Sequence, residues 1–470
     1  MEDFARHLIC RLSPDQIETI HRNMLRIVSE VGMKIESGPM LDRMAEYGGI
    51  VDKAASIVRF SPEFVEAFIA DSDKVDWDAI EPQLNSSGGM YVGRYLDPET
   101  DRFERWSEDR IRKYAKLAHY LPEIDGVHMF GCPIQELPAV AHPLWQRYLA
   151  WKHGARSGGS IWDIRLCPYI LEMCEVMAQA TGRKPSDYFA GAVYLNSPLR
   201  LAASEAEHFL YFTDRGMTVG IGHMMSAGGS APTTLAGAIT LFLAESMFIN
   251  IIRRAYCGAK ILSTPCTISV LDMKSLMYPY GRPERVIANV MMAQVARWYG
   301  ASYSGHCGHS DAKRPSCEAG AQKVMTALPV LMVGGRASIG AGLLSVDEVF
   351  SPIQMILDNE IVGALRRIIR GCEISDETIA VDLIKEIGPG GFFTDTDHTA
   401  RTFRTEHWQP TLWAREMYGT WAGGDTKTDL ERAVDIYHEI MDRLDPPRPI
   451  SDETEEILRA IVERAVRDLS

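Results

Sequence analysis

The chain has 470 residues, 46% hydrophobic and 24% charged, the balance of a soluble globular protein with a large core. Lys and Arg number 49 and Asp and Glu 63, a formal charge of −14, which excludes the basic footprint of a nucleic-acid binder. Nine cysteines without a CxxC pair exclude a disulfide-framed secreted domain and read as reduced thiols of a cytosolic protein.

The N-terminus does not read as a signal peptide. Ser13-Pro14-Asp15-Gln16 is a capping box with Pro at the first helical position. Ile17, Ile20, Met24 and Val28 then share one helical face, and Gly32 ends it. The same device recurs at Ser61-Pro62-Glu63. Residues 1–85 are therefore expected to form a helical segment outside the main repeat.

From 86 to 372 the rhythm is strand, loop, helix. Buried strands are expected over 127–132, 160–164, 189–194, 218–221, 261–265, 301–304 and 330–333, with an eighth near 90–92 or 337–340. Helices are expected over 167–181, 201–214, 232–256, 283–298, 316–327 and 352–371. Such alternation implies a parallel sheet, and the strand count favours a closed (β/α)8 TIM barrel of the α/β class over an open sheet. No GxGxxG follows an early strand. The uncharged stretch 216–244 is broken by Gly, Ser, Thr and Pro232 and is not read as a membrane span. Residues 373–470 form an extension, with a Gly-rich loop over 387–399 and two amphipathic helices packed on the barrel.

The stretch 300–345 carries the densest chemistry. His306, His309, Asp311 and Lys313 lie on a Gly-broken loop after a predicted strand, where barrel enzymes hold their catalytic groups. His223 ends another strand. There is no HxH or HExxH, so no tightly bound metal is expected, although a metal-dependent barrel hydrolase stays open as an alternative. Trp162, Tyr194 and Tyr303 stand at predicted strand ends, and Phe392 and Phe393 on the Gly-rich loop; aromatic faces of this kind can cage a quaternary ammonium. Arg336 can hold a carboxylate through two hydrogen bonds.

Several segments together resemble the trimethylamine methyltransferase superfamily of corrinoid-dependent methyltransferases. They are Leu12-Ser13-Pro14-Asp15-Gln16-Ile17-Glu18-Thr19-Ile20-His21, Ser310-Asp311-Ala312-Lys313, Asp358-Asn359-Glu360, Ile387-Gly388-Pro389-Gly390-Gly391 with Asp397-His398-Thr399, and Trp408-Gln409-Pro410. The resemblance spans nearly the whole chain. It implies a barrel whose mouth receives a separate corrinoid protein. The trimethylamine enzymes carry pyrrolysine; every residue here is standard, so the chain looks like the non-pyrrolysine branch, which includes glycine betaine demethylation.

The implied activity is methyl transfer from a quaternary amine, glycine betaine first, to the Co(I) of a corrinoid (cobalamin) carried by a partner protein. A quaternary ammonium leaves as a neutral amine, so no proton donor is needed and an acid-free, aromatic-walled mouth is expected. On this reading His223, His306 and His309 line the pocket or hold the carboxylate. Arg336 assists, Asp311 and Lys313 are carried over from the family loop, and the aromatics named above form the cage. A cytoplasmic homo-oligomer is expected, with no nucleic-acid or membrane partner. A non-catalytic betaine-binding or corrinoid-docking subunit is the second alternative.

Overall fold

The computed structural model describes residues 11–159 and 161–470. The first helix starts where its cap requires. The Ser13 side chain accepts from the Gln16 N–H while the Gln16 side chain accepts from the Ser13 N–H, and Pro14–Arg26 buries Ile20 and Met24. A π turn, Ile27–Val31, carries the chain to Gly32. There φ is +84° and the Val58 carbonyl lies 2.5 Å from where a Cβ would stand, so only glycine fits.

This segment is not purely helical, which corrects the sequence reading. Met33–Ile35, Ile57–Arg59 and Ile50–Asp52 form an antiparallel sheet, extended by a parallel strand, Arg200–Leu201. The Ile50-Val51 and Ile57-Val58 runs are short β-branched pieces joined by a tight turn, where Asp52 Oδ1 accepts from the Ala54 and Ala55 N–H groups.

The remainder is mixed α/β with parallel sheets. Gln83–Met90 lies between Arg336–Gly340 and Gly126–Met129, and the latter pairs with Arg156–Ser157, all in parallel. Gly191–Tyr194 pairs in parallel with Val219–Gly222, and Met225–Ala227 with Ile268–Val270. Parallel bridges join Ser263 to Ser302, Cys266 to Gly305 and Ser304 to Arg336. Between these strands run Cys167–Thr181, Ala203–Thr213, Leu235–Cys257, Pro283–Tyr299, Cys317–Met332 and Pro352–Arg370, close to the expected helices. Leu235–Cys257 is long and apolar enough to cross a membrane, yet 78% of its most apolar stretch is buried inside the molecule, so it serves as a core helix.

Two predicted strands are corrected. Residues 330–333 are the end of the helix Cys317–Met332 and its cap; Val330 and Leu331 are buried while Met332 is exposed, a helical rather than an extended pattern. Ser316 is that helix's cap and Glu318 lies in its first turn. The strand expected over 160–164 lies upstream, at Arg156–Ser157; Ile164–Leu166 is a 3-10 turn, and Ser160 is outside the described residues. Gln83–Met90 was nearly invisible to hydrophobic reading. Its Gln-Leu-Asn-Ser-Ser-Gly-Gly-Met is small and polar, and pairing on both edges, not β-propensity, makes it a strand.

The tail is tied to the core through Glu360. Its buried carboxylate accepts from the backbone N–H groups of Thr411, Leu412 and Trp413 and from the Thr411 hydroxyl, at 2.7–3.2 Å. Asp429–Asp442 buries Ala433, Tyr437 and Ile440, and Asp452–Leu469 buries Leu458, Ile461 and Val462. Leu430, Leu444 and Ile457 are exposed.

Candidate active site

The C-terminal ends of the parallel strands present a group of aromatic side chains. Tyr91 follows the strand ending at Met90, Phe130 the strand ending at Met129, and Tyr194 closes its own strand. The Tyr91 and Phe130 rings stack at 5.1 Å, and the His128 ring meets Phe130 edge-on at 5.5 Å. His306 and His309, after the 302–305 segment, lie parallel at 4.4 Å with an interplanar angle of 2°. The Tyr280 ring stands edge-on to both, at 4.9 and 5.2 Å.

One carboxylate faces this group. His309 Nδ1 lies 3.2 Å from Asp347 Oδ1. Burial first, and then the Asp347 charge, push the phenols of Tyr91 and Tyr280 well above their ordinary range. The expectation of an acid-free mouth is thus corrected: Asp347 sits among the rings. It is carried on three successive residues, Ser345, Val346 and Asp347, at φ of 53°, 57° and 69°, a strained run for residues with side chains.

The Ser310-Asp311-Ala312-Lys313 loop explains how that run is held. The Ala312 and Ser310 carbonyls accept from the Ser345 and Val346 N–H groups at 2.9 and 3.1 Å. The Asp311 carboxylate accepts from the Tyr280 and Gly281 N–H groups at 2.6 and 2.9 Å. Asp311 therefore positions Tyr280, while Lys313 is exposed and faces a surface groove beside Val92, Phe103 and Glu348. Gly308, between the two histidines, has φ +71° and the Ser338 carbonyl 2.5 Å from a would-be Cβ, so the turn that aligns the imidazoles requires glycine.

Behind His306 lies Arg285, which is buried. It donates from Nε to the His306 carbonyl at 2.8 Å and from Nη2 to His306 Nδ1. Because a guanidinium only donates, Nδ1 is the acceptor and the ring's proton sits on Nε2. Arg285 also lies over the Tyr280 ring at 4.9 Å. Beneath the loop, Lys323 and Asp358 form a fully buried ion pair at 2.5 Å. Lys323 also donates to the Gly340 carbonyl, and Asp358 accepts from the Gly342 N–H and the Gln354 amide. The pair fixes the turn that leads from the Arg336–Gly340 strand toward Asp347. Burial lowers the Lys323 pKa, outweighing the opposing attraction of Asp358.

Of the residues assigned from sequence, the structure gathers His306, His309 and Tyr194 with this group, Tyr194 through its proximity to Tyr91. Six stand elsewhere. His223 is 2% exposed, with Nδ1 2.9 Å from Glu245, Nε2 3.2 Å from the Ser246 hydroxyl and Phe242 stacked at 3.8 Å. Both its nitrogens face the helix, and Glu245 also holds Ser197 and the Leu199 N–H, so His223 is a buried tie between turns. Tyr303 is buried and donates to the Asn289 backbone carbonyl and side-chain oxygen; it packs on the helix side of its strand. Arg336 begins its strand, paired with Gln83, at the end opposite the mouth. Phe392 and Phe393 are exposed on the tail. Trp162 is exposed beyond the Arg156–Ser157 strand, 6.1 Å from His142. Sequence reading missed Tyr91, Phe130, Tyr280 and Asp347; Tyr280 alone had a local signal, in Tyr278-Pro279-Tyr280 just before a capped helix.

Among the described residues no three His, Cys, Asp or Glu side chains are grouped as metal ligands. The chain matches the family pattern of trimethylamine methyltransferase (MTTB) over residues 90–470. It is 26% identical over 469 residues to the trimethylamine methyltransferase MttB of Desulfitobacterium hafniense (strain DSM 10664 / DCB-2), covering 96% of this chain and 93% of that protein. It is 25% identical over 451 residues to the glycine betaine methyltransferase of Desulfitobacterium hafniense (strain Y51), covering 93% of each. With the trimethylamine methyltransferase MttB2 of Methanosarcina mazei it shares 30% identity over 483 residues, 96% of this chain and 94% of that one. The chain belongs to the trimethylamine methyltransferase (MTTB) family and is a methyltransferase.

Proposed function

We propose that the protein transfers a methyl group from a small quaternary amine, with glycine betaine as the first substrate, to a corrinoid carried by a separate protein. The observation that carries this reading is the aromatic group of Tyr91, Phe130, Tyr194 and Tyr280, near the ends of parallel strands, with the Asp347 carboxylate beside Tyr91 and Tyr280. Aromatic faces and one anion attract a permanent cation, each ring contact contributing about 0.5–2 kcal/mol.

The parallel segments are read as one closed eight-stranded (β/α)8 barrel. The pairings and bridges around 83–90, 126–129, 156–157, 191–194, 219–222, 262–266, 302–305 and 336–340 support this. The division into 1–85, 86–372 and 373–470, the cytoplasmic location and a homo-oligomeric state belong to the same reading.

A quaternary ammonium carries no N–H, so His309 and Asp347 have no proton to remove from it. Asp347 supplies the counter-charge, His306 and His309 form one wall, and Arg285 and Asp311 keep that wall and Tyr280 in place. These residues orient one methyl group outward and exclude water. The exposed Tyr91 and Tyr194 give the mouth an apolar rim that fits a broad planar macrocycle. When bound there, the reduced corrinoid supplies the nucleophile.

Purified protein supplied with cob(I)alamin and glycine betaine is expected to release dimethylglycine. Failure across glycine betaine, choline and trimethylamine overturns the proposal.

A further inference from the structure

The quaternary-amine reading leaves open what lies opposite Asp347. Arg156 is paired in register with His128 on neighbouring parallel strands. In-register residues of paired strands share a face. His128 shares its face with Phe130, two residues on, and their rings are 5.5 Å apart. Their chain neighbours Val127, Met129 and Ser157 are buried and point the other way. Arg156 therefore projects to the face that carries the aromatic group, and it is exposed, on the edge strand of its sheet. Its charge reaches the His128 ring, whose pKa is lowered by burial first and by Arg156 second.

A chain of neighbours thus links the two charges: Asp347 acts on Tyr91, Tyr91 stacks on Phe130, Phe130 meets His128 edge-on, and His128 is paired in register with Arg156. A negative group, aromatic faces and a positive group suit a ligand that bears both an onium and a carboxylate. Arg336, the arginine proposed from sequence, starts its strand at the far end, and Arg285 is spent on His306.

We infer that Arg156 is the specificity-determining residue that binds the carboxylate of a zwitterionic quaternary amine. The site then selects betaines over quaternary amines that lack an anion. The inference rests on the proposed function but is separable from it. Glycine betaine and choline differ in a carboxylate versus a hydroxyl at the end remote from the methyl groups.

Binding of each to the full chain is measured by calorimetry. Wild type should prefer glycine betaine by about 10-fold or more, and Arg156→Gln should weaken glycine betaine by about 10- to 100-fold, the worth of a hydrogen-bonded charge. Choline affinity should change less than about twofold if the onium half of the site is untouched. Arg156→Lys, which keeps the charge but loses the planar fork, should recover part of the loss. Equal weakening of both ligands, or none for glycine betaine, overturns the assignment. If Arg156→Gln does not fold, the wild-type preference decides: no preference for the zwitterion sinks the inference while leaving methyl transfer standing. Wild type that binds neither ligand sinks both.

Discussion

At the scale of single residues, the site turns on a carboxylate placed where the backbone resists it. Ser345, Val346 and Asp347 all occupy the left-handed region, at a cost of order 1 kcal/mol or more each, and the Ser310 and Ala312 carbonyls hold them there. Asp347→Asn removes the charge but keeps the shape. It is expected to raise KM for a quaternary amine about 10-fold, ~1.4 kcal/mol, with the thermal midpoint nearly unchanged; an unaltered KM in steady-state assays argues against the counter-charge role. The histidines His306 and His309 were legible from sequence because they sit on one short loop. Asp347 was not, because its importance comes from meeting that loop across nearly 40 positions of chain.

At the scale of elements, two buried carboxylates on the Pro352–Arg370 helix brace the molecule in different directions. Asp358 meets Lys323 beneath the Gly340–Gly342 turn, and Glu360 gathers the Thr411–Trp413 N–H groups. Removing one partner of a buried pair strands the other. Lys323→Met or Asp358→Leu alone should each cost about 3–5 kcal/mol, whereas the double replacement should recover most of it; urea denaturation of the three variants checks this, and additive losses refute the coupling. Glu360→Gln should cost about 1.5–3 kcal/mol through its hydrogen bonds. It should also speed hydrogen exchange over 405–432 ahead of the helices between the parallel strands. Uniform exchange would mean that the tail is not anchored there. Asp358-Asn359-Glu360 was read as a family signature; its physical meaning is structural, since Asn359 too is engaged, accepting from the Glu123 N–H.

At the scale of the whole molecule, buried imidazoles tie stability to pH. Burial lowers the pKa of His128 and of His208 below their ordinary 6.5. As pH falls the unfolded chain therefore takes up these protons first. Their contribution is full above about pH 6.5 and is lost as pH drops through the folded values. The thermal midpoint should fall between pH 7.5 and 5.5, and His128→Asn with His208→Asn should flatten that slope; an unchanged slope shows that other groups govern it. By itself the sequence determined the helix caps, the alternation of strands and helices, and the loop carrying two histidines, because each is written in neighbouring residues. Only the tertiary structure decided which face each strand turns inward. That choice buried Tyr303 and His223, sent Arg336 to the far end, and brought Tyr91, Phe130 and Asp347 to one place. The physical reason is that parallel pairing joins residues distant along the chain, and side-chain direction follows from register rather than from local composition.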